Sequence, residues 1–378
     1  MTRQILSALC LTAALGLAMP PAYTAELTVL QVADYSASRA SLGRALRYGA
    51  SLAIDEANRQ GGVHGQKIKL VALDDRYEVN DTLRLLKEGI DTHKPVAIVN
   101  ILGTANTAAV LKSGMLDTAK IPLIGPYTGA DHLRSPVNPQ VFHVRASYAE
   151  EVERIVLHFA NSGIKRVGIL HEDDPFGESI HSAFVEALKA HGLEAAGRGI
   201  SPRGSVDVSA AVATVMAADP QGVLIGTAGA PTAIIVKATH AAGLFAPRIG
   251  ISVNDATQIV KTAGIEAARG FGMVSVMPDP GSCTLKICEE LRALHKIYGD
   301  TAEQLSPNTM EGFISARLML IAADNTTAPI TRAKLRDALE GLNPANASGF
   351  LLSYSPTRHN GSTYRDIGVI GGSGHMMY

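Results

Sequence analysis

The sequence predicts an α/β protein of two lobes, each a parallel-rich sheet flanked by helices. Three observations predict it. First, short apolar runs alternate with longer amphipathic segments all the way from Leu27 to Val276. Second, the chain has 378 residues and is 46% hydrophobic, which fills a sizeable core shared between two units. Third, the later part reads as helices followed by short strands, a set that cannot form a domain alone and must complete layers begun earlier.

The elements follow in order. Residues 27–33 (Leu-Thr-Val-Leu-Gln-Val-Ala) are a short strand. After a polar loop from Asp34 to Ser41, Leu42, Ala45, Leu46, Gly49, Ala53 and Ala57 recur at three- and four-residue steps. That is an amphipathic helix whose small residues let it approach a sheet closely. Gly61-Gly62 stops it, and strands follow at 67–73 and 96–99 around a helix capped near Asn80. A helix over 107–119 leads to the strand 121–124.

The alternation then repeats. Strands are expected at 141–145, 166–171, 222–226, 248–252 and 272–276, with helices at 148–161, 179–190, 209–217, 232–242 and 257–263 between them. Strands joined through helices make parallel sheets covered on both faces. Right-handed crossovers place the loops after those strands along one edge. Helices over 288–297, 308–323 and 331–342 come next, then short strands at 349–351 and 364–370. The chain is expected to cross between lobes near 146–148, 275–278 and 344–350. One lobe is then 26–146 with 277–345, and the other 147–276 with 346–378.

The N-terminus carries a transport signal. Arg3 gives a positive region, Ile5 to Met19 an apolar stretch, Pro20-Pro21 a stop, and Ala22-Tyr23-Thr24-Ala25 a cleavage site. Residues 1–25 read as a secretory signal peptide cut after Ala25. Cys10 lies inside that stretch, with equally apolar residues after it, which is not the arrangement of a lipoprotein cysteine. Export would let Cys283 and Cys288 pair; two reduced thiols are the alternative. No second stretch is long and apolar enough to cross a bilayer, so the mature chain has no membrane span.

Composition narrows the partners. The net charge is −1, and no run of Lys and Arg supplies the basic surface that nucleic acid requires. Trp is absent, so any aromatic wall must come from Tyr or Phe.

In sheets of this kind, ligands sit beyond the carboxyl ends of strands, at helix N-termini. Four loops have the small or hydroxyl residues for it. In the first, Thr104 offers a hydroxyl, and the N–H groups of Ala105 and Asn106 would face a carboxylate with a helix dipole behind them. Ordinary capping by Thr104 or Asn106 explains the same residues. In the second, Tyr127 offers a ring, and Thr128 a hydroxyl beside Gly129; a turn held by Pro126 and Gly129 is the plainer reading. In the third, Phe176 opens a helix after the acidic run Glu172-Asp173-Asp174, either as a ligand wall or as a hydrophobic staple. In the fourth, Ala230 leaves room, Asn254 offers an amide, and Asp255 offers a cap. Tyr35 and Arg39 share the first polar loop, where Arg39 could pair with an acidic solute or simply face water.

These residues carry a resemblance. Residues 49–65 (Gly-Ala-Ser-Leu-Ala-Ile-Asp-Glu-Ala-Asn-Arg-Gln-Gly-Gly-Val-His-Gly) look like the first helix and turn of the periplasmic branched-chain amino acid-binding proteins. Those are Leu/Ile/Val-type solute receptors of ABC importers. Val71 to Asp75, Gly103 to Thr107, Ile121 to Gly129 and Asp174 to Gly177 fall in the family's order, across nearly all of the mature chain. The resemblance implies two Rossmann-like lobes joined by three crossover segments, with a cleft that closes like a hinge on a small-molecule solute. It implies that Thr104 and residues 127–129 hold the solute carboxylate, and that Phe176 is an aromatic wall. It implies an ABC permease and ATPase as partners, and no cofactor. Amino acid receptors also carry an acid for the ammonium group in the loop after the strand at 248–251. Ser252 falls there, and only Asp255 nearby is acidic. The departure favours a carboxylate without an ammonium group, or an amide. Ala230, where a tyrosine is often found, enlarges the pocket in the same direction.

An enzyme is not indicated. The sequence has no Gly-x-Ser-x-Gly elbow and no His-Glu-x-x-His spacing. Cys283 and Cys288 lack a second pair for zinc, so no metal site is expected. His132, His143, His158 and His171 fall on separate elements. The glycine turn at 61–65 follows a helix, which a dinucleotide fingerprint does not. A free-standing sensor of the same fold is the alternative to a transport receptor.

Overall fold

A computed structural model describes residues 26–378. The signal-peptide and Cys10 readings lie outside them. The first stretch of chain runs β1 (Leu27–Ala33), α1 (Ala40–Arg59), β2 (Ile68–Asp74), α2 (Val79–His93), β3 (Ala97–Val99), α3 (Thr104–Lys112), α4 (Met115–Ala119), β4 (Leu123–Ile124) and β5 (Val141–Phe142). The second runs α5 (Tyr148–Asn161), β6 (Arg166–Asp173), α6 (Pro175–His191), β7 (Glu194–Pro202), α7 (Ser209–Ala217), β8 (Gly222–Gly226), α8 (Ala230–Ala241), β9 (Arg248–Gly250), α9 (Ala256–Ala263), α10 (Ile265–Ala268) and β10 (Gly272–Ser275). The last runs α11 (Lys286–Tyr298), α12 (Pro307–Asp324), α13 (Arg332–Glu340), β11 (Ala345–Ala347), β12 (Phe350–Leu352), β13 (Asp366–Ile370) and β14 (Met376–Met377).

Two main sheets result, one for each lobe, beside the two-stranded β11–β12 hairpin. The first has the order β2-β1-β3-β4-β5, all parallel. The second has the order β7-β6-β8-β9-β10-β13-β14, parallel as far as β10 and antiparallel after it. Strand interiors such as Val29, Ile98, Leu224 and Ile225 are fully buried, as helices on both faces require.

The small residues of α1 meet α12, not only the sheet. A Cβ on Gly49 would stand 1.9 Å from the Thr309 carbonyl oxygen, and one on Gly312 would stand 2.0 Å from the Leu46 carbonyl oxygen. Each helix therefore presents a glycine where the other's backbone passes, and the two axes approach as closely as backbones can. This contact ties the late helix α12 to the first lobe.

The chain passes between the sheets after β5, after β10 and again before β13. The third passage comes later than the expected 344–350. The β11–β12 hairpin, expected on the second lobe, stays on the first: Ile287 donates its N–H to the Ser348 carbonyl at 2.9 Å, and Tyr354 donates its N–H to the Leu342 carbonyl at 2.9 Å. The hairpin's apolar residues Ala345, Ala347, Phe350 and Leu352 need α12 as their cover, which holds them there. β7 and β14, at the two edges of the second sheet, are further strands that were not expected. Cys283 and Cys288 form a disulfide that pins the second crossing to the start of α11.

Candidate functional site

The loop after β1 is folded by one carboxylate. Asp34 accepts hydrogen bonds from the N–H groups of Ser36 (3.0 Å), Ala37 (2.6 Å) and Arg39 (2.7 Å). That aims Arg39 across to the second lobe, where its Nη2 donates to both oxygens of Glu172 at 2.5 and 2.6 Å. Its Nη1 donates to the Ala228 carbonyl. Arg203 makes the reverse crossing, from the loop after β7 to the Tyr77 carbonyl (2.8 Å) and Asn106 Oδ1 (2.9 Å) of the first lobe. The two lobes are thus held closed on each other.

Between them lies a small cavity of about 10 Å³, about the room that one water needs, so in this closed arrangement the facing side chains are packed together. The first lobe lines it with Arg39, Leu42, Tyr77, Leu102, Gly103, Thr104 and Tyr127; the second with Tyr148, Phe176, Ala228 and Val253. Larger hollows exist: an open surface groove of about 740 Å³ beside α5 and α6, and one of about 390 Å³ between α9, β10 and the start of α12, which Asn254 and Asp255 line. The interlobe cavity is where strand ends, a helix N-terminus and buried aromatic rings converge.

Each wall has a local cause. Tyr77 sits in the left-handed region (φ 65°), held by its N–H donating to Asp75 Oδ1 at 2.9 Å. Its ring lies against Gly103, where a Cβ would come within 2.6 Å of it. Burial pushes the Asp75 carboxyl up to about 6, with hydrogen bonds from Thr82, the Tyr77 amide and Asn106 working against that rise. Thr104 begins α3, and its hydroxyl is 2.7 Å from that of Thr128. The first-turn amides of α3 have no intrahelical acceptors, so this end favours an anion. Phe176 follows Pro175 at the start of α6, whose cap Asp174 accepts from the Gly177 N–H at 2.9 Å. Its ring meets Tyr148 edge to face with centroids 5.4 Å apart. Tyr127 donates its hydroxyl to Asn308 Oδ1 at 2.6 Å, and Asn308 Nδ2 donates to the Asn254 carbonyl at 2.9 Å.

Of the residues read from the sequence, Thr104, Tyr127, Phe176 and Arg39 line the cavity. Thr128 stands behind Thr104, and Gly129 packs on the Tyr148 ring while its carbonyl accepts from the Tyr148 N–H at 2.7 Å. Ala105 is not among the lining residues. Asn106 turns away from the cavity: its amide donates to Thr82 and Asp75 and accepts from Arg203. Asn254 is a brace, accepting from the Gly229 N–H and donating to the Thr227 and Ile251 carbonyls. Ala230 starts α8 beyond the lining residue Ala228. Tyr35 sits under Arg47, outside the cavity. Arg39 is fully buried in its pair with Glu172, so its charge is already matched.

Tyr77, Tyr148 and Leu42 were not expected there; Leu102, Gly103, Ala228 and Val253 lie in loops expected to meet a ligand but were not singled out. Tyr148 had a usable signal: it is the first residue of a helix just after an expected crossing. Tyr77 had none, because a left-handed tyrosine in a turn leaves no pattern. The loop after β9 offers the cavity no acid. Ser252 bonds to Glu151 through its N–H (2.7 Å) and hydroxyl (2.9 Å), and Asp255 caps α9 through the Gln258 N–H.

The comparisons with known proteins agree with this architecture. A family model described as periplasmic binding protein matches residues 26–369. The chain belongs to the periplasmic binding protein family. A substrate-binding periplasmic protein from Ralstonia solanacearum superposes with a TM-score of 0.89 at 33% identity, over 93% of this chain and 99% of that one. A Leu/Ile/Val-binding protein homolog 7 of Brucella melitensis is 23% identical over 380 residues, 94% of this chain and 91% of the relative. A branched chain amino acid ABC transporter protein from Thermus thermophilus with bound valine superposes with a TM-score of 0.82 at 20% identity, over 93% and 95% of the two chains, a likeness of fold. The first two of these are binding proteins by name. Among the described residues of this periplasmic binding protein, no helix is long and apolar enough to cross a membrane.

Proposed function

We propose that this protein is an exported solute receptor of an ABC importer, and that it closes its two lobes around one small carboxylate-bearing solute without transforming it. The observation that carries this reading is the opening of the α3 N-terminus, with the Thr104 hydroxyl, into an apolar cavity walled by residues of both lobes. The amides and hydroxyl suit a carboxylate. The rings of Tyr77, Tyr127, Tyr148 and Phe176 suit an apolar or aromatic body. Because the walls come from both lobes, bound solute contacts both at once and stabilises the closed arrangement over the open one. The names of the relatives support transport of an amino acid or a similarly small acid.

The test uses protein unfolded and refolded to remove any carried-over solute. Thermal unfolding is followed against aliphatic acids, aromatic acids, keto acids, amino acids and amides. A ligand at a hundred times its Kd adds about 2.7 kcal/mol of stability, so a true solute raises the midpoint by several degrees. Silence across every carboxylate contradicts the proposal.

A further inference from the structure

Recognition of an amino acid demands an acceptor for its ammonium group as well as donors for its carboxylate. The cavity contains one charged side chain, Arg39, and no carboxylate among its lining residues. Glu172 lies behind Arg39, and both its oxygens are occupied. They accept two bonds from Arg39 Nη2, one from the Ala228 N–H at 3.1 Å and one from the Gly204 N–H at 2.9 Å. The Ala228 carbonyl, the other acceptor at that wall, takes Arg39 Nη1. Of the other acids around the cavity, Asp174 accepts from the Gly177 amide through one oxygen and stands 3.4 Å from Arg203 through the other, which accepts no hydrogen bond; Glu151 is engaged with Ser252 and Arg145, and Asp255 with its helix.

We propose that Arg39 is a specificity-determining residue: it is a built-in cation that fills the second lobe's ammonium acceptors, so that the cavity selects carboxylates lacking an α-amino group. The inference rests on the solute-site reading above and deepens it. Arg39 belongs to the first lobe and Glu172 to the second, so the pair forms only when the lobes close. An ammonium group entering the closed cavity would meet a guanidinium and no carboxylate among the lining residues. A buried charge left without a partner is strongly disfavoured. A carboxylate solute without the amine avoids that cost and still meets Thr104 at the start of α3.

The experiment titrates refolded protein calorimetrically with pairs differing only in the amine: propanoate and alanine, 4-methylpentanoate and leucine, 3-phenylpropanoate and phenylalanine. For whichever pair binds, the wild type is expected to hold the des-amino acid at least tenfold more tightly. Arg39→Met uncovers Glu172, and the ratio shifts at least tenfold toward the amino acid. The double variant Arg39→Met/Glu172→Gln has neither charge and keeps the des-amino preference; with no buried unpaired acid it folds even where the single variant does not. Equal or tighter binding of the amino acid by the wild type overturns the inference and leaves the solute site standing. So does an unchanged ratio in folded Arg39→Met, or an amino acid preference in the double variant. Binding of carboxylates at a site insensitive to Thr104→Val overturns the solute-site reading itself, and this inference falls with it.

Discussion

Arg145 and Glu311 stand 3.8 Å apart, fully buried where the chain first leaves the first lobe, and Glu151 of the second lobe lies 3.5 Å from the same guanidinium. One cation thus serves two carboxylates from different lobes. The guanidinium also lies over the Tyr127 ring, 4.5 Å from its centroid, so the hinge and the cavity wall share it.

This sharing predicts a pH dependence. Burial pushes the Glu311 carboxyl up to about 7, although Arg145 pulls it down. In the unfolded chain it titrates at the usual carboxylate value, so between those two values the folded protein binds the extra proton. The stabilisation is complete below the unfolded pKa and is lost as pH rises through 7, by up to about 3 kcal/mol. Asp75 works in the same direction, and His143, whose pKa burial lowers, works against it. The isolating measurement is therefore a difference: Glu311→Gln should lack this part of the stability loss seen in the wild type by urea titration between pH 5 and pH 8. Parallel profiles would contradict it.

Thr104→Val removes one hydroxyl and keeps the volume. A hydrogen bond to a charged group contributes about 1.5–3 kcal/mol, which is about ten- to a hundred-fold in affinity. The variant also loses the buried bond to Thr128, so calorimetric titration with the solute, run well below both unfolding midpoints, should show that affinity loss. Unchanged affinity removes Thr104 from the carboxylate site.

Gly312→Ala places a methyl group 2.0 Å from the Leu46 carbonyl oxygen. Backbone cannot yield as a side-chain tip can, so the helices must separate. Overpacking of this kind costs about 1–3 kcal/mol. Chemical denaturation should show that loss, and the matching change at Gly49 should act on the same contact.

The Cys283–Cys288 bond closes a short loop, with a sequence separation of 5. Chain entropy gives so short a loop about 2 kcal/mol. Replacing both with Ser should lower stability by that order and leave solute affinity unchanged, because the loop does not reach the cavity.

Much of this fold was legible because its strands are apolar runs bracketed by helices with a clear stripe. The exception is instructive. β7 contains two glycines, Gly197 at φ 88° beside a register shift, and only Ile200 is β-branched. It is a strand because β6 offers it an edge, which is a tertiary cause. In the site, Thr104, Tyr127 and Phe176 could be found because each follows the end of a strand. Arg39 was visible, but its partner lies 133 residues away, so its role as an internal counter-charge was not. Asn106 and Asn254 were polar groups at the right loop ends, and only packing shows that their amides are spent on neighbouring loops.

The central claim is that solute and lobe closure go together. Spin labels at Ala37→Cys and Val206→Cys, exposed positions on opposite lobes near the Ser38–Gly204 contact, report that distance directly. Refolded protein without solute should show a longer or broader separation that collapses to a single short one when the solute saturates. A distance distribution unmoved by a solute that binds tightly would contradict the account.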